Sequence, residues 1–348
     1  MIDQPVARPA RLLVAAAALV TLLCGVGGCL SFHQGPMPGE PRNATYVQLG
    51  DTRVRYIDRG KGPPVVLLHG FASALETWET VVPALTDKHR VVALDLKGFG
   101  WTDRPDGDYS PDAQAQLVLA LLDKLGIGRA AVVAHSWGSS VALALALRAP
   151  GRVERLALYD AWVYEAQLPT AFIWARADGM GELIFGLFYD ERPDEKMEGA
   201  FYDPSRISEH FVEEVEAALD RPGTTAAALA AVRGQRFEDV EDQYRTIRQP
   251  VLLLWGREDR VTHLSYGERL VSELPNAKLM VYPRCGHFPM IEAAAPSTHD
   301  LVAFLDAPLP SAAPAPAAPA AAPAATPSAP TATTGGPTSP QSPGEAVP

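Results

Sequence analysis

Short runs of apolar residues recur along the middle of the chain, and stretches with helical periodicity separate them. Runs such as Val65–His69 are apolar without interruption, which is typical of strands that are buried on both faces of a sheet. Two alternating segments flank Gly50 and Asp51, a turn sequence that predicts an antiparallel hairpin. The pattern predicts strands at Ala44–Leu49, Thr52–Asp58, Val65–His69, Arg90–Asp95, Ala130–Ala134, Val153–Tyr159, Val251–Trp255 and Lys278–Tyr282.

The segments between these strands carry apolar residues three and four positions apart, which predicts helices. Strands that alternate with helices predict an α/β fold, in which helices flank both faces of a mostly parallel eight-stranded sheet. The predicted helices of this core are Glu76–Thr86, Pro111–Leu125, Gly138–Arg148, Ser265–Leu274 and Pro296–Leu305.

The interval between Trp162 and Thr246 contains no strand-like run and instead has several helical pieces. We therefore predict a helical cap at residues 163–245, inserted into a sheet domain of residues 43–162 and 246–306. Such a cap would cover the site and shape its pocket, although a set of surface helices with no lid role is the alternative. The predicted cap helices are Ala171–Ala177, Glu182–Tyr189, Ile207–Leu219 and Thr224–Arg233.

The N-terminal segment has the features of an export signal. Arg8 and Arg11 precede an apolar run at residues 12–23, which is too short for a comfortable membrane span, and small residues follow it. Val26–Cys29 resembles the bacterial lipobox, which predicts a signal peptide at residues 1–28, lipidation of Cys29 and a place in the bacterial cell envelope. An uncleaved anchor and ordinary secretion are the alternatives.

Two further segments lie outside the predicted domain. Residues 29–42 are polar and contain Pro and Gly, which predicts a linker. Residues 307–348 consist almost entirely of Ala, Pro, Ser, Thr and Gly, without an aromatic residue. Such a segment buries too little apolar surface to offset its ordering entropy, so we predict a disordered tail.

Composition narrows the possible partners. The formal net charge of −11 argues against nucleic acid, because phosphate binding requires a basic surface. Of the three cysteines, Cys285 alone lies in the predicted domain, so no disulfide forms within it. No metal-ligand spacing, phosphate loop or dinucleotide fingerprint occurs, and we predict no metal and no cofactor. The expected partner is a small-molecule substrate, with membrane contact only through the N-terminus; the oligomeric state stays open.

A candidate nucleophile follows the strand Ala130–Ala134. There the chain runs through His135 into Ser136, and an Ala-rich helix begins at once. A serine on such a sharp strand-to-helix turn is a nucleophile elbow, which requires small flanking residues, here Ala134 and Gly138. We predict that Ser136 is a nucleophile; an ordinary helix-capping serine is the alternative.

A candidate acid and base follow two later strands. Asp259 comes after Val251–Trp255, and His287 comes after Lys278–Tyr282. The carboxyl ends of parallel strands meet at one edge of a sheet, so both residues are expected beside Ser136. His287 would then accept the serine proton while Asp259 orients its ring. Glu258 and Asp160 are the alternatives for the acid.

These residues, together with His69-Gly70-Phe71-Ala72 and Asp95–Asp103, resemble the α/β-hydrolase superfamily. The chain order Ser136, Asp259, His287 is that of this superfamily. Within it, the sequence is similar to the capped group of esterases, meta-cleavage product hydrolases, epoxide hydrolases and haloalkane dehalogenases. The resemblance implies an oxyanion hole formed by the backbone N–H groups of Phe71 and Trp137, with His69 in a structural role.

The resemblance also narrows the chemistry. A serine nucleophile disfavours the epoxide hydrolases and dehalogenases, which use aspartate, and the proline iminopeptidase oxyanion sequence is absent. We therefore expect a serine hydrolase that cleaves a small hydrophobic ester through an acyl-enzyme. A C–C bond hydrolase, a cofactor-free haloperoxidase or perhydrolase, and a non-catalytic binding protein on the same fold are the alternatives.

Overall fold

The computed structural model describes residues 30–189 and 193–309. The predicted signal peptide and the predicted lipidation site Cys29 lie outside these described residues. Of these described residues, those up to Ala307 belong to one compact unit, and Pro308 and Leu309 belong to a second. No helix in the described part of the chain has both the length and the apolar character needed to cross a membrane.

An eight-stranded sheet forms the centre of the first unit. Its strand order is β1-β2-β4-β3-β5-β6-β7-β8; β2 pairs antiparallel with β1 and β4, and all other neighbours are parallel. The predicted α/β fold class is confirmed. The strands are β1 Thr45–Leu49, β2 Thr52–Arg59, β3 Pro64–Leu68, β4 Arg90–Leu94, β5 Ala130–His135, β6 Val153–Tyr159, β7 Val251–Gly256 and β8 Ala277–Tyr282.

Helices cover both faces of the sheet and also form the long insertion between β6 and β7. The α-helices are, in chain order, α1 Val82–Leu85, α2 Pro111–Lys124, α3 Trp137–Arg148, α4 Thr170–Ala175, α5 Met180–Phe188, α6 Pro193–Ala200, α7 Glu209–Leu219, α8 Thr224–Gly234, α9 Leu264–Glu273, α10 Pro289–Glu292 and α11 Ala294–Asp306. The insertion, from α4 to α8, is called the cap below.

The strand side chains alternate between two hydrophobic cores, as the two-residue period of a strand requires. In β3, Val66 and Leu68 face the core that contains residues of α2, α3 and α9. Val65 and Leu67 face the opposite core, which contains residues of α1, α10 and α11. Because β3 is buried on both faces, its run is continuously apolar.

Three helical segments differ from the sequence predictions, and one of them is the short helix α10, which was not predicted. The single helix predicted at Glu76–Thr86 is wrong: a 3-10 turn at Leu75–Trp78 precedes the short helix α1. Pro83 explains the break, because proline in a continuous helix would lack one N–H donor and clash with the preceding turn. Helix α6 was not predicted, because its sequence Pro-Asp-Glu-Lys-Met-Glu-Gly-Ala has little apolar periodicity.

The residues that precede β1 pack along the domain. The backbones of His33 and Arg104 exchange two hydrogen bonds, of 2.9 and 2.8 Å. Farther along, Met37 is buried, and its Sδ accepts a hydrogen bond from Nη1 of Arg104. Part of the segment predicted as a linker therefore makes specific contacts with the sheet domain.

Candidate active site

Ser136 occupies a strained turn between β5 and α3. Its backbone has φ +51° and ψ −124°, a conformation that is unfavourable for a residue with a side chain. The Ser136 N–H donates to the carbonyl of Tyr159 at 2.9 Å, and its carbonyl accepts from the N–H of Trp162 at 3.1 Å. The Ser136 side chain makes no helix-capping hydrogen bond, so its hydroxyl is directed to other partners.

Glycines allow the turn after β3 to pack directly against this elbow. A Cβ added at Gly138 would lie 2.4 Å from the carbonyl oxygen of His69 and 2.6 Å from that of Leu68. A Cβ added at Gly70 would lie 3.1 Å from the Cβ of Ser136. The elbow and this turn therefore approach each other at a distance that larger side chains would prevent.

The structure joins Ser136, His287 and Asp259 by hydrogen bonds. The Nε2 atom of His287 lies 2.9 Å from Oγ of Ser136, and its Nδ1 atom lies 2.9 Å from Oδ2 of Asp259. Because ionised Asp259 can only accept, Nδ1 carries the proton and Nε2 is the acceptor for the Ser136 hydroxyl. All three side chains are buried. In this arrangement the imidazole can remove the serine proton.

Several donors hold the Asp259 carboxylate in its ionised form. Its Oδ1 accepts from the N–H groups of Val261 and Thr262, at 2.7 and 3.0 Å. Its Oδ2 accepts from Oγ1 of Thr262 as well as from His287. Burial alone would raise the pKa of Asp259, but the adjacent His287 and the donated hydrogen bonds outweigh it, and this pKa lies below its usual value.

The two alternative acids have other partners. Oε2 of Glu258 accepts from the N–H of Cys285 at 3.0 Å, which connects the loops after β7 and β8. Asp160 is fully buried near Asp259, and its Oδ1 accepts from the N–H of Gly256 at 2.9 Å. Burial, and then the negative charge of Asp259, raise the pKa of Asp160 well above its usual value. A protonated Asp160 cannot supply the negative charge that orients His287.

The backbone donors predicted for the oxyanion hole lie on the two sides of the close contact between the turn after β3 and the elbow at Ser136. Trp137 is the first residue of α3, where backbone N–H groups have no partner within the helix. Phe71 is followed by Ala72, which has φ +53°, and the Phe71 ring contacts that of Trp137 with centroids 6.2 Å apart. His69 fixes the turn: its Nε2 accepts from the N–H of Leu96 and its Nδ1 donates to the carbonyl of Gly70.

Three residues not singled out in the sequence analysis support this site. Nε2 of His135 donates to the carbonyl of His287 at 2.8 Å, and burial, then the adjacent His287, lower the pKa of His135 to about 3. Oε2 of Glu292 accepts from the N–H of Gly286 at 2.7 Å. Thr262 binds the carboxylate of Asp259. Of these three, His135 alone has a sequence signal, its position next to Ser136. The contact between Glu292 and the Gly286 backbone becomes visible only in the folded structure.

An apolar cavity of about 430 Å³ lies between this site and the cap. His287 is one of its lining residues, and the described residues of its wall include no Lys, Arg, Asp or Glu. The wall is mainly aromatic and aliphatic, so it suits an uncharged group. It is lined by Phe71, Ala72, Ser73, Ala171, Phe172, Ile184, Phe185, Phe188, Tyr189, Met197, Ala200, Phe211, Val215, Leu219, His287 and Phe288.

Asp160, Asp259 and His287 also form a group of possible metal ligands in the described part of the chain, with ligand atoms within 4.8 Å of one another. The oxygens of Asp259 already accept hydrogen bonds, and Nδ1 of His287 carries a proton toward them. Metal binding requires deprotonated ligands. This donor set fits a hydrogen-bonded acid and base rather than a metal site.

Comparison with known proteins agrees with the fold. Residues 63–201 and 204–294 match the family model described as alpha/beta hydrolase fold. The chain belongs to the α/β-hydrolase family. It is 34% identical over 258 residues to the 2-hydroxy-6-oxo-2,4-heptadienoate hydrolase of Pseudomonas putida. The match covers 71% of this chain and 90% of that protein.

Solved structures of two kinds of hydrolase are also similar to this chain. One is the meta-cleavage product hydrolase CumD of Pseudomonas fluorescens, with 28% identity, a TM-score of 0.64, and coverage of 75% of this chain and 97% of that one. The other is an esterase of Thermogutta terrifontis, with 25% identity, a TM-score of 0.66, and coverage of 76% and 98%. Both C–C and ester hydrolases are therefore among the relatives.

Proposed function

We propose that this protein is a serine hydrolase that cleaves a C–C bond next to a ketone. The observation that carries the proposal is the position of His287, which lines an apolar cavity while its two ring nitrogens lie 2.9 Å from Ser136 Oγ and from Asp259 Oδ2. The choice of bond is supported by relatives that are named for hydrolysis of oxo-dienoates or of meta-cleavage products. These relatives favour C–C cleavage over the ester cleavage expected from sequence.

In the proposed reaction, Ser136 Oγ attacks the ketone carbon while His287 accepts its proton. The N–H groups of Phe71 and Trp137 bind the oxyanion. The C–C bond then breaks, its electron pair passes to the leaving carbon, and His287 returns the proton to that fragment. This step requires a second carbonyl, conjugated with the leaving carbon, that delocalises the pair. Water finally hydrolyses the acyl-enzyme to a carboxylic acid.

Hydrolysis of an uncharged hydrophobic ester is the second candidate. The described cavity wall contains no cationic side chain, whereas the named substrates of the relatives are carboxylates. An ester without charge would fit such a wall without an unpaired carboxylate. The same Ser136, His287 and Asp259 would perform this reaction, with an alcohol as the leaving group.

A paired assay separates these two candidates. Purified protein is given 2-hydroxy-6-oxo-dienoates with methyl or phenyl at the ketone, and p-nitrophenyl butyrate in parallel. We expect loss of the dienolate chromophore with a kcat/KM above that for the ester, and loss of both activities in Ser136→Ala. Turnover of the ester alone would overturn the C–C assignment in favour of the second candidate. Equal rates for wild type and Ser136→Ala would overturn both candidates.

We also propose that the protein is exported and lipidated at Cys29. The charged start, the short apolar run and the lipobox-like Val26–Cys29 support this localisation. Mass spectrometry of the mature protein tests it. A diacylated N-terminal Cys29 is the expected result, and an intact Met1 would refute the proposal.

A further inference from the structure

Exposed apolar side chains are concentrated on two neighbouring cap helices. The described residues include nine large apolar side chains that are more than a third exposed, and five of them lie between residues 173 and 188. We define the cap patch as Ile173, Trp174, Met180 and Leu187. Trp174 is the most exposed of the nine, at 61%. A cluster of this kind on a soluble domain indicates a binding surface.

Helix α5 is apolar on both its inner and its outer side. Gly181 and Phe185 are buried in the cap core, in which α4, α5 and α8 meet. Met180, Leu183 and Leu187 are spaced by three and four residues and share the other side, with Met180 and Leu187 exposed. A helix that is hydrophobic all round is normally buried or in contact with lipid. The outer side of α5 therefore lacks the polar residues of a helix that faces water.

The start of the described chain lies at the same cap core. Leu30 packs against the cluster of Ala175, Phe185 and Leu229. In the sequence, Leu30 directly follows Cys29, and the apolar run at residues 12–23 precedes both. A membrane anchor formed by residues 1–29, as proposed above, would therefore join the domain at the cap.

The cap patch also lies beside the substrate cavity. Ala171, Phe172, Ile184, Phe185 and Phe188 line the cavity, and all belong to α4 or α5. Phe188 is 55% exposed while it lines the cavity, so the edge of the cavity reaches the surface next to Leu187. If an apolar phase covered the cap patch, a compound dissolved in it would reach the cavity at this edge.

We propose that the cap patch inserts into a lipid bilayer, so that the cavity opens toward the membrane. Apolar insertion rather than charge attraction would hold it there, because residues 170–189 contain one arginine and two acidic residues. An exposed tryptophan beside aliphatic residues suits the interface between headgroups and acyl chains. The proposal extends the proposed function: the hydrolase takes a lipophilic substrate from the membrane.

Trp174 provides a direct test. The chain has six tryptophans, and the other five are at most 8% exposed. The full-length protein is reconstituted into phosphatidylcholine vesicles with brominated acyl chains. We expect the fluorescence of Trp174 to be quenched by the bromine and protected from aqueous iodide, to the same extent at low and high salt. Trp174→Phe should lose the quenched component.

Paired variants show whether the cap patch is responsible. Met180→Glu combined with Leu187→Glu should abolish the quenching of Trp174, while the control Met280→Glu, at an exposed position on β8, should leave it intact. Vesicle-bound wild type whose Trp174 is unquenched and open to iodide would overturn the proposal. Concentration-dependent protection of Trp174 without lipid would also overturn it, because the patch would then bind a second copy.

This test does not depend on the proposed reaction. Quenching reports the depth of Trp174 in the bilayer whether or not a C–C bond is cleaved. Trp174→Phe, the combined Met180→Glu and Leu187→Glu variant, and the Met280→Glu control should all hydrolyse a water-soluble ester at the wild-type rate. None of these side chains lines the cavity. Quenching without hydrolysis of either the dienoates or the ester would refute the proposed function alone, and hydrolysis without quenching would refute the membrane proposal alone.

Discussion

His287 is held by contacts to its backbone as well as to both ring nitrogens. Its N–H donates to the carbonyl of Ala200 at 2.7 Å, and its carbonyl accepts from Nε2 of His135 at 2.8 Å. Ala200 is the last residue of α6, so the cap itself anchors the proposed base. Because His135 is neutral, it positions the His287 backbone without adding a positive charge beside the ring.

The proposed division of roles between the two buried acids predicts different effects of the same substitution. In Asp259→Asn, the amide cannot stabilise the imidazolium, and we expect kcat to fall by about 10⁴-fold, as in serine protease triads. In Asp160→Asn, a carboxyl whose raised pKa favours the neutral form becomes an isosteric amide, so kcat should stay within the same order of magnitude. Steady-state kinetics on both variants measures this. An equal loss in the two would contradict the assignment of Asp259.

Asp160 also predicts a pH dependence of stability. Its raised pKa keeps it protonated in the folded protein at pH values at which the unfolded chain has lost the proton. The folded state then binds more protons, so the free energy of unfolding falls as pH rises above about 4. Asp160→Asn removes this penalty. Its stability relative to wild type should grow with pH, by up to about 1.4 kcal/mol per unit, as measured by urea unfolding; a pH-independent difference would show that Asp160 is ionised.

The sequence predicts the residues that have a local motif and misses those that act through distant backbone. Ser136 lies between small residues on a strand-to-helix turn, and Asp259 and His287 each follow a strand. His135 is marked in the sequence only by its position beside Ser136, and Thr262, which binds the Asp259 carboxylate, and Glu292 have no such pattern. The backbone atom to which Glu292 binds, the N–H of Gly286, is close to it only because α10 folds back after β8.

At the scale of elements, the contact between the turn after β3 and the start of α3 aligns the proposed oxyanion donors. Gly138→Ala would bring a Cβ within 2.6 Å of two backbone carbonyl oxygens, which cannot move independently of β3. We expect a loss of about 1–3 kcal/mol in stability together with a fall in kcat. Gly128→Ala is the matched control, because an added Cβ there meets nothing within 4 Å. Equal behaviour of the two variants in thermal unfolding would contradict this account.

The strands and helices that could be predicted from the sequence are those in which burial determines the pattern of apolar residues. The strands are buried on both faces or alternate between a buried and an exposed side, and their predicted positions agree with the structure to within one residue at each end. The errors lie where local chemistry competes with periodicity. Pro83 interrupts the segment predicted as one helix, and α6 is a mainly polar helix in which Met197 and Ala200 are buried.

At the scale of the whole molecule, the cap places an apolar cavity over a buried acid and base. The wall of this cavity predicts a preference for longer acyl groups. Across p-nitrophenyl acetate, butyrate and hexanoate, kcat/KM should rise about fourfold per added CH₂, since each buried CH₂ contributes about 0.8 kcal/mol. A flat series, or a preference for a charged acyl group, would contradict an apolar acyl site. The sequence predicted a cap but not its specificity, which depends on packing between its helices.

The central claim is that Ser136 is a nucleophile activated by His287. A fluorophosphonate probe tests it most directly, because its phosphorus forms a bond to the serine oxygen, with loss of fluoride, only where a neighbouring base deprotonates the hydroxyl. We predict that the intact mass of the protein rises by one probe, that the modified peptide contains Ser136, and that Ser136→Ala takes up none. A wild-type protein that stays unlabelled, or an equally labelled Ser136→Ala variant, would contradict the claim.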